Sequence, residues 1–271
     1  MVSFLANPIV RVILQVGAAA VVAVAAYVLD RAFERSRLYA RYEAKIRPWR
    51  DLASPAVAVP VGLFLLWAAW RGVLLVQPFD LLALGWIGAV LRGVQAAIGF
   101  LILVGLFMSA AAVGLMALVV GALALFGTDA LPVLHLGGAA AFLYRFSRGR
   151  FSWDWFLGKP IASTPQQRKQ SYLALRILTG LAMISAAVSE WMTQSPATSH
   201  GAWALGLTIA AGLSFLTGFI TRLSALIFLP VVLWASWTSL WGEPAAVLPV
   251  LGILTAFLIF GDKYHKGEVA K

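Results

Sequence analysis

Polar side chains that fall inside apolar runs are the first place to look for chemistry in this sequence, because a charge inside a membrane span is costly and usually has a reason. Arg71, Arg92, Glu190 and Gln194 are the ligand-binding candidates. Arginine and amide groups at these positions could donate hydrogen bonds to a polar head group, and charged donors make the stronger bonds. Arg71 and Glu190 stand on corresponding stretches of two similar segments, at similar depth. Three roles are open to them: reaching out to lipid head groups, forming an ion pair within the protein, or binding a ligand. Ser185, Ser189 and Thr193 make the stretch around Glu190 the most polar of the apolar runs, with Gln95 on another. Polar groups of this kind more often join helices than bind ligands.

Other chemistries are excluded or left without support. The chain has no cysteine, which removes disulfides, thiolate catalysis, iron–sulfur ligation and zinc–thiolate sites. His135 and His200 could share a metal or haem, but no surrounding pattern supports this, and no metal site is expected. His265 lies in the C-terminal tail. There is no P-loop, nucleophile elbow, HExxH or dinucleotide fingerprint, so no catalytic residue is identified. Asp80, Asp129 and Glu243 read as solvated caps, and Thr221 with Arg222 as the anchor of a turn.

The elements that would position these residues follow from composition. Hydrophobic residues are 61% of the 271 positions and charged residues 12%, against roughly 25% charged in a soluble domain. Such a chain needs lipid as part of its solvent. A span takes about 20 apolar residues, and nine candidates follow: 9–29, 55–78, 90–108, 109–127, 131–146, 172–193, 201–219, 223–241 and 245–261. The first reads as a retained helix rather than a cleaved leader. The fold class is all-α, a polytopic membrane protein.

Basic residues set the orientation. Seven lie from Arg31 to Arg50, seven from Arg145 to Arg176, one at Arg222 and three from Lys263 to Lys271. With nine spans these eighteen share one side, and only Arg11, Arg71 and Arg92 fall toward the other. Positive loops face the cytoplasm, so the reading is a bacterial inner-membrane protein with its N-terminus outside and C-terminus inside. The outer side collects Trp70, Trp86, Trp191, Trp203, Trp237 and Trp241, at the level tryptophan prefers. The net charge of +10 is accounted for by these loops. It forms no continuous basic face for nucleic acid, and none is expected as a partner. The segment 30–51 reads as an interfacial helix on anionic lipid, or as a docking surface for a protein.

The chain also repeats itself. Gly62-Leu63, Ala68-Ala69 and Pro78 recur as Gly180-Leu181, Ala186-Ala187 and Pro196, at an offset of 118. Leu131-Pro132-Val133-Leu134 recurs as Leu248-Pro249-Val250-Leu251, at 117. The domains expected are 1–51, an N-terminal helix with a basic segment, then 52–159 and 160–271, each of four spans. An even span count makes the two repeats parallel. Residues 79–92 are extra in the first and could form an interfacial or re-entrant helix.

Arg176-Ile177-Leu178-Thr179-Gly180-Leu181 with Ser189-Glu190 resembles the opening helix of DoxX-type membrane proteins. Gly218-Phe219-Ile220-Thr221-Arg222-Leu223-Ser224-Ala225 resembles their second link, and Gly149-Arg150-Phe151-Ser152-Trp153-Asp154 their closing motif. The resemblance covers about 55–266. It implies two four-helix bundles in tandem, and an association with quinone- or sulfur-linked redox and with soluble redox partners. The expected function is therefore an integral membrane subunit of such a complex, contacting quinone through the Arg71, Arg92, Glu190 and Gln194 rim. A non-catalytic scaffold subunit is the alternative. A small-solute transporter comes third, because the spans lack matched mid-membrane breaks.

Overall fold

The computed structural model describes residues 44–75, 80–146, 153–156, 163–193, 199–218, 221–237 and 244–261, with Val28 and Arg41. The expected span at 9–29 and much of the 30–51 segment lie outside the described residues, as does Gln194. The described regular structure is helical, apart from an isolated bridge between Val73 and Asp80.

Eight helices carry the architecture: α1 (Ala53–Arg71), α2 (Gly85–Val104), α3 (Met108–Phe126), α4 (Leu134–Phe146), α5 (Pro165–Thr193), α6 (Ser199–Thr217), α7 (Thr221–Trp237) and α8 (Leu248–Phe260). A single helical turn, Trp153–Phe156, follows α4. Four stretches are long and apolar enough to cross a membrane: Pro48–Arg71, Gly85–Val104, Met108–Phe146 and Pro165–Glu190. The third of these holds α3, a 3-10 turn at Gly127–Val133 and α4. Shorter apolar stretches are Leu205–Thr217 of α6, Thr221–Trp234 of α7 and Leu248–Phe260 of α8. An all-helical membrane protein follows from these lengths and compositions.

Each helix packs on its neighbour in the chain, from α1 on α2 through to α7 on α8, and α8 packs back on α1. The helices thus form a closed ring, with α1, α4 and α8 also touching across its middle. Two of these crossings run through glycine. A Cβ at Gly62 would lie 2.9 Å from the Gly99 carbonyl oxygen, and one at Gly180 would lie 2.6 Å from that of Gly212. The backbones of α1 and α2, and of α5 and α6, therefore approach more closely than any larger residue allows. Phe64, Leu115, Phe142, Phe215 and Phe257 fill the core. At one end of α4 and α8, Phe142 stacks on Phe146 at 4.3 Å, and Phe260 meets both at 5.2–5.9 Å with its ring tilted or edge-on. Val90, Val113, Val120, Leu226 and Leu233 face outward on α2, α3 and α7, as expected of a surface solvated by lipid rather than water.

The first span is shorter than its apolar run suggests. α1 ends at Gly72, which takes a left-handed conformation (φ 76°) and returns its N–H to Ala68 and Ala69. The chain then folds back on itself: Leu81 N–H donates to the Gly72 carbonyl at 2.8 Å. Val73, Leu74, Leu75 and Leu81 are buried by this reversal. The apolar residues after Arg71 therefore serve a packed turn and not a longer helix. The interfacial or re-entrant helix expected over 79–92 is also replaced. A 3-10 turn, Leu82–Leu84, leads directly into α2, which begins at Gly85.

Candidate functional site

Buried polar side chains mark two regions of the bundle. Beneath the turn that joins α1 to α2, Gln95 is fully buried midway along α2. Its Nε2 donates to the carbonyls of Leu65 (3.4 Å) and Val73 (3.2 Å), and its Oε1 accepts from Leu75 N–H (3.3 Å). Through Val73 and Leu75, Gln95 satisfies backbone groups of the buried turn, and through Leu65 it ties α2 to α1. Leu75 is held there at a positive φ of 60°, and the Gln95 bond to its N–H is part of what sustains that conformation.

One turn before Gln95 on the helix, Arg92 is half-buried. Its Nη2 donates to the Trp70 carbonyl at 3.0 Å, in the last turn of α1. A guanidinium at a helix C-terminus meets the negative end of the helix dipole, and its fork offers further donors beyond the one used. Arg92 also lines a groove between α1 and α2 of about 520 Å³. Leu66, Ala69 and Trp70 form one wall, and Gly85, Gly88, Ala89, Gly93 and Ala96 the other. A Cβ at Gly85 or Gly93 would meet no atom within 4 Å, so the small residues of α2 leave real space. The volume falls within the roughly 300–1,000 Å³ of small-ligand sites. Trp70 and Trp86 stand beside this groove, 74% and 77% exposed.

Of the other expected rim residues, Arg71 ends α1 and is exposed, with its guanidinium carbon 6.0 Å from the centre of the Trp67 ring. That placement differs from an interior one: the side chain lies outward along an aromatic face, beyond the groove lining. Glu190 is half-exposed near the end of α5, whose main packing partners are α4 and α6. Arg92, Trp70 and Arg71 thus stand together at the α1–α2 end, and Glu190 stands near the end of α5. His135 is buried in the first turn of α4, with Nδ1 donating to the Pro132 carbonyl at 2.7 Å. Among the described residues no three histidine or acidic groups come together as metal ligands.

At the other end the polar groups close helix termini. Asp154 is buried, and its two carboxylate oxygens accept from Phe107 N–H and Met108 N–H, each at 2.9 Å. These are orphan donors at the start of α3. Arg222 Nη2 donates to the carbonyls of Ile259 (3.1 Å) and Phe260 (3.3 Å) at the end of α8, and Tyr172 OH donates to the Gly261 carbonyl at 2.9 Å. The guanidinium of Arg176 lies against Gly218, just past α6. The Asp154 capping role is not visible from local spacing; its only signal is the Gly149-to-Asp154 motif, which points to Asp154 without its partners. Compared with known proteins, the chain matches no family model, no curated protein and no solved structure.

Proposed function

We propose that this chain is an accessory subunit of a larger membrane assembly of the quinone- or sulfur-linked redox kind, holding a lipid-phase ligand in the groove between α1 and α2. The electron-carrying cofactor in this reading belongs to a partner protein. The observation that carries it is the Arg92 guanidinium, anchored by one nitrogen to the end of α1 and lining a ligand-sized groove of small residues. Such a donor suits a head group with acceptor oxygens, a quinone among them. The finer architecture belongs to the same proposal: nine spans, an outside N-terminus and cytoplasmic C-terminus in a bacterial inner membrane, and two parallel DoxX-like repeats. The distribution of basic residues supports the orientation. Matched packing supports the repeats: α1 meets α2, and α5 meets α6, each through a glycine pair.

A scaffold subunit without a ligand is the second reading. It is favoured by the use of Gln95, Asp154 and Arg222, all bound to backbone groups that tie the bundle together. Purification of the full chain in mild detergent separates the two. Co-purifying redox proteins together with an extractable lipid-phase ligand are expected. Partners without any ligand would favour the scaffold, and a partner-free protein that moves a solute in liposomes would overturn both.

A further inference from the structure

The ligand of the α1–α2 groove can be narrowed by its depth and charge. We infer that the groove seats the phosphate of a membrane phospholipid on the Arg92 guanidinium, an assignment that rests on the groove being the ligand site proposed above. Three observations bear on it. First, among the described residues that line the groove, Arg92 is the only charged one, so the site favours an anion over a neutral or cationic head. Second, its Nη2 is fixed on the Trp70 carbonyl. That bond orients the guanidinium plane, and the remaining donors of the fork match two oxygens of a phosphate. Partial burial strengthens the attraction relative to an exposed arginine.

The third observation is depth. Arg92 lies seven residues into α2, about 10 Å along the axis at 1.5 Å per residue. Its side chain nevertheless reaches the last turn of α1, beside Trp70. Exposed tryptophans such as Trp70 and Trp86 settle at the head-group level of a bilayer. The guanidinium is thus drawn to the depth at which lipid phosphates lie, while the acyl chains can follow Gly93 and Ala96 toward the apolar interior. A soluble anion would gain nothing from the apolar lower half of the groove.

Native mass spectrometry of the purified full chain tests this, with phosphatidylglycerol, a quinone and inorganic phosphate as separate probes. The wild-type chain is expected to hold phosphatidylglycerol through delipidating detergent, and excess inorganic phosphate to leave it bound. Arg92→Gln should lose the lipid several-fold and Arg92→Lys should keep part of it. Gly93→Leu fills the groove while leaving the Arg92–Trp70 bond in place, and should lose the lipid with helix content and monodispersity unchanged. Retention in Arg92→Gln and Gly93→Leu equal to that of the wild-type chain would overturn the inference. So would displacement by inorganic phosphate, or Arg92-dependent retention of the quinone in place of the phospholipid. If redox partners co-purify while the lipid is lost equally from all variants, the inference alone fails. If the lipid is held as described but no partner ever accompanies the chain, the proposed function alone fails.

Discussion

Asp154 places one carboxylate across two adjacent backbone amides, and the reason lies in the residue it serves. Phe107 precedes α3 at φ 48°, a conformation that costs a bulky residue energy unless its surroundings hold it. The carboxylate holds it by accepting from Phe107 and Met108 together. Asp154→Ala should therefore lower stability by about 1–2 kcal/mol, the upper range for losing a helix N-cap. Thermal unfolding in detergent reads this as a lower midpoint. Asp154→Asn keeps one acceptor oxygen and should lose less. An unchanged midpoint for the alanine variant would show that the cap contributes nothing. The sequence distinguishes such residues unevenly. Gln95 reads as a helix-joining amide, and its bonds to α1 and the turn after it agree; Arg222 reads as a turn anchor, whereas its bonds to Ile259 and Phe260 close the end of α8. Arg71 reads as reaching out to head groups, pairing with an acid or binding a ligand, because composition fixes its depth and not its direction. The bonds of Asp154 connect residues 46 and 47 apart in sequence, so no local spacing can reveal them.

At the scale of elements, helix packing turns on a few glycines. Gly180 and Gly212 bring α5 and α6 into backbone contact, as Gly62 and Gly99 do for α1 and α2. Gly180→Val would set a branched side chain against the Gly212 carbonyl and should cost about 1–3 kcal/mol, as overpacking does. Gly206 lies on α6 with nothing within 4 Å of an added Cβ, so Gly206→Val serves as the control for helix propensity alone. Unfolding midpoints in detergent should fall for the first and hold for the second. Equal effects would mean that the α5–α6 crossing is not set by Gly180. The positions of α1 to α8 are legible from apolar runs bounded by Gly, Pro and charge, within a few residues for most ends. The reversal at Gly72 is not. Residues 73–75 are as apolar as the helix before them, since a buried turn and a span draw on the same residue types. α5 errs the other way: it starts at Pro165, because Gln166 to Gln170 are polar yet good helix formers.

The closed ring makes the whole molecule more than two bundles joined by a linker. α4 packs chiefly on α5, across the boundary near residue 160, and α8 packs on α1. Each half therefore supplies the helix on which the other half's first helix packs. Gly138 of α4 meets Leu175 of α5, and Gly252 of α8 meets Ala56 and Val57 of α1. The aromatic cluster crosses the same boundary, with Phe142 and Phe146 of α4 against Phe260 of α8. A lone half would expose these small-residue faces and aromatic edges. Lipid can cover an apolar face, but it cannot reproduce close backbone contact. Residues 1–159 and 160–271 expressed separately should therefore each give poorly folded, short-lived protein. Co-expressed from two genes, they should recover a single complex that co-purifies through a tag on either half. Gly138→Val, in the crossing from α4 to α5, should weaken that reassembly, whereas Gly121→Val, with nothing within 4 Å of its added Cβ, should not. A half that purifies alone, monodisperse and with an unfolding midpoint equal to that of the intact chain, would show instead that each set of four helices stands by itself and that the ring closes only as a contact between finished bundles.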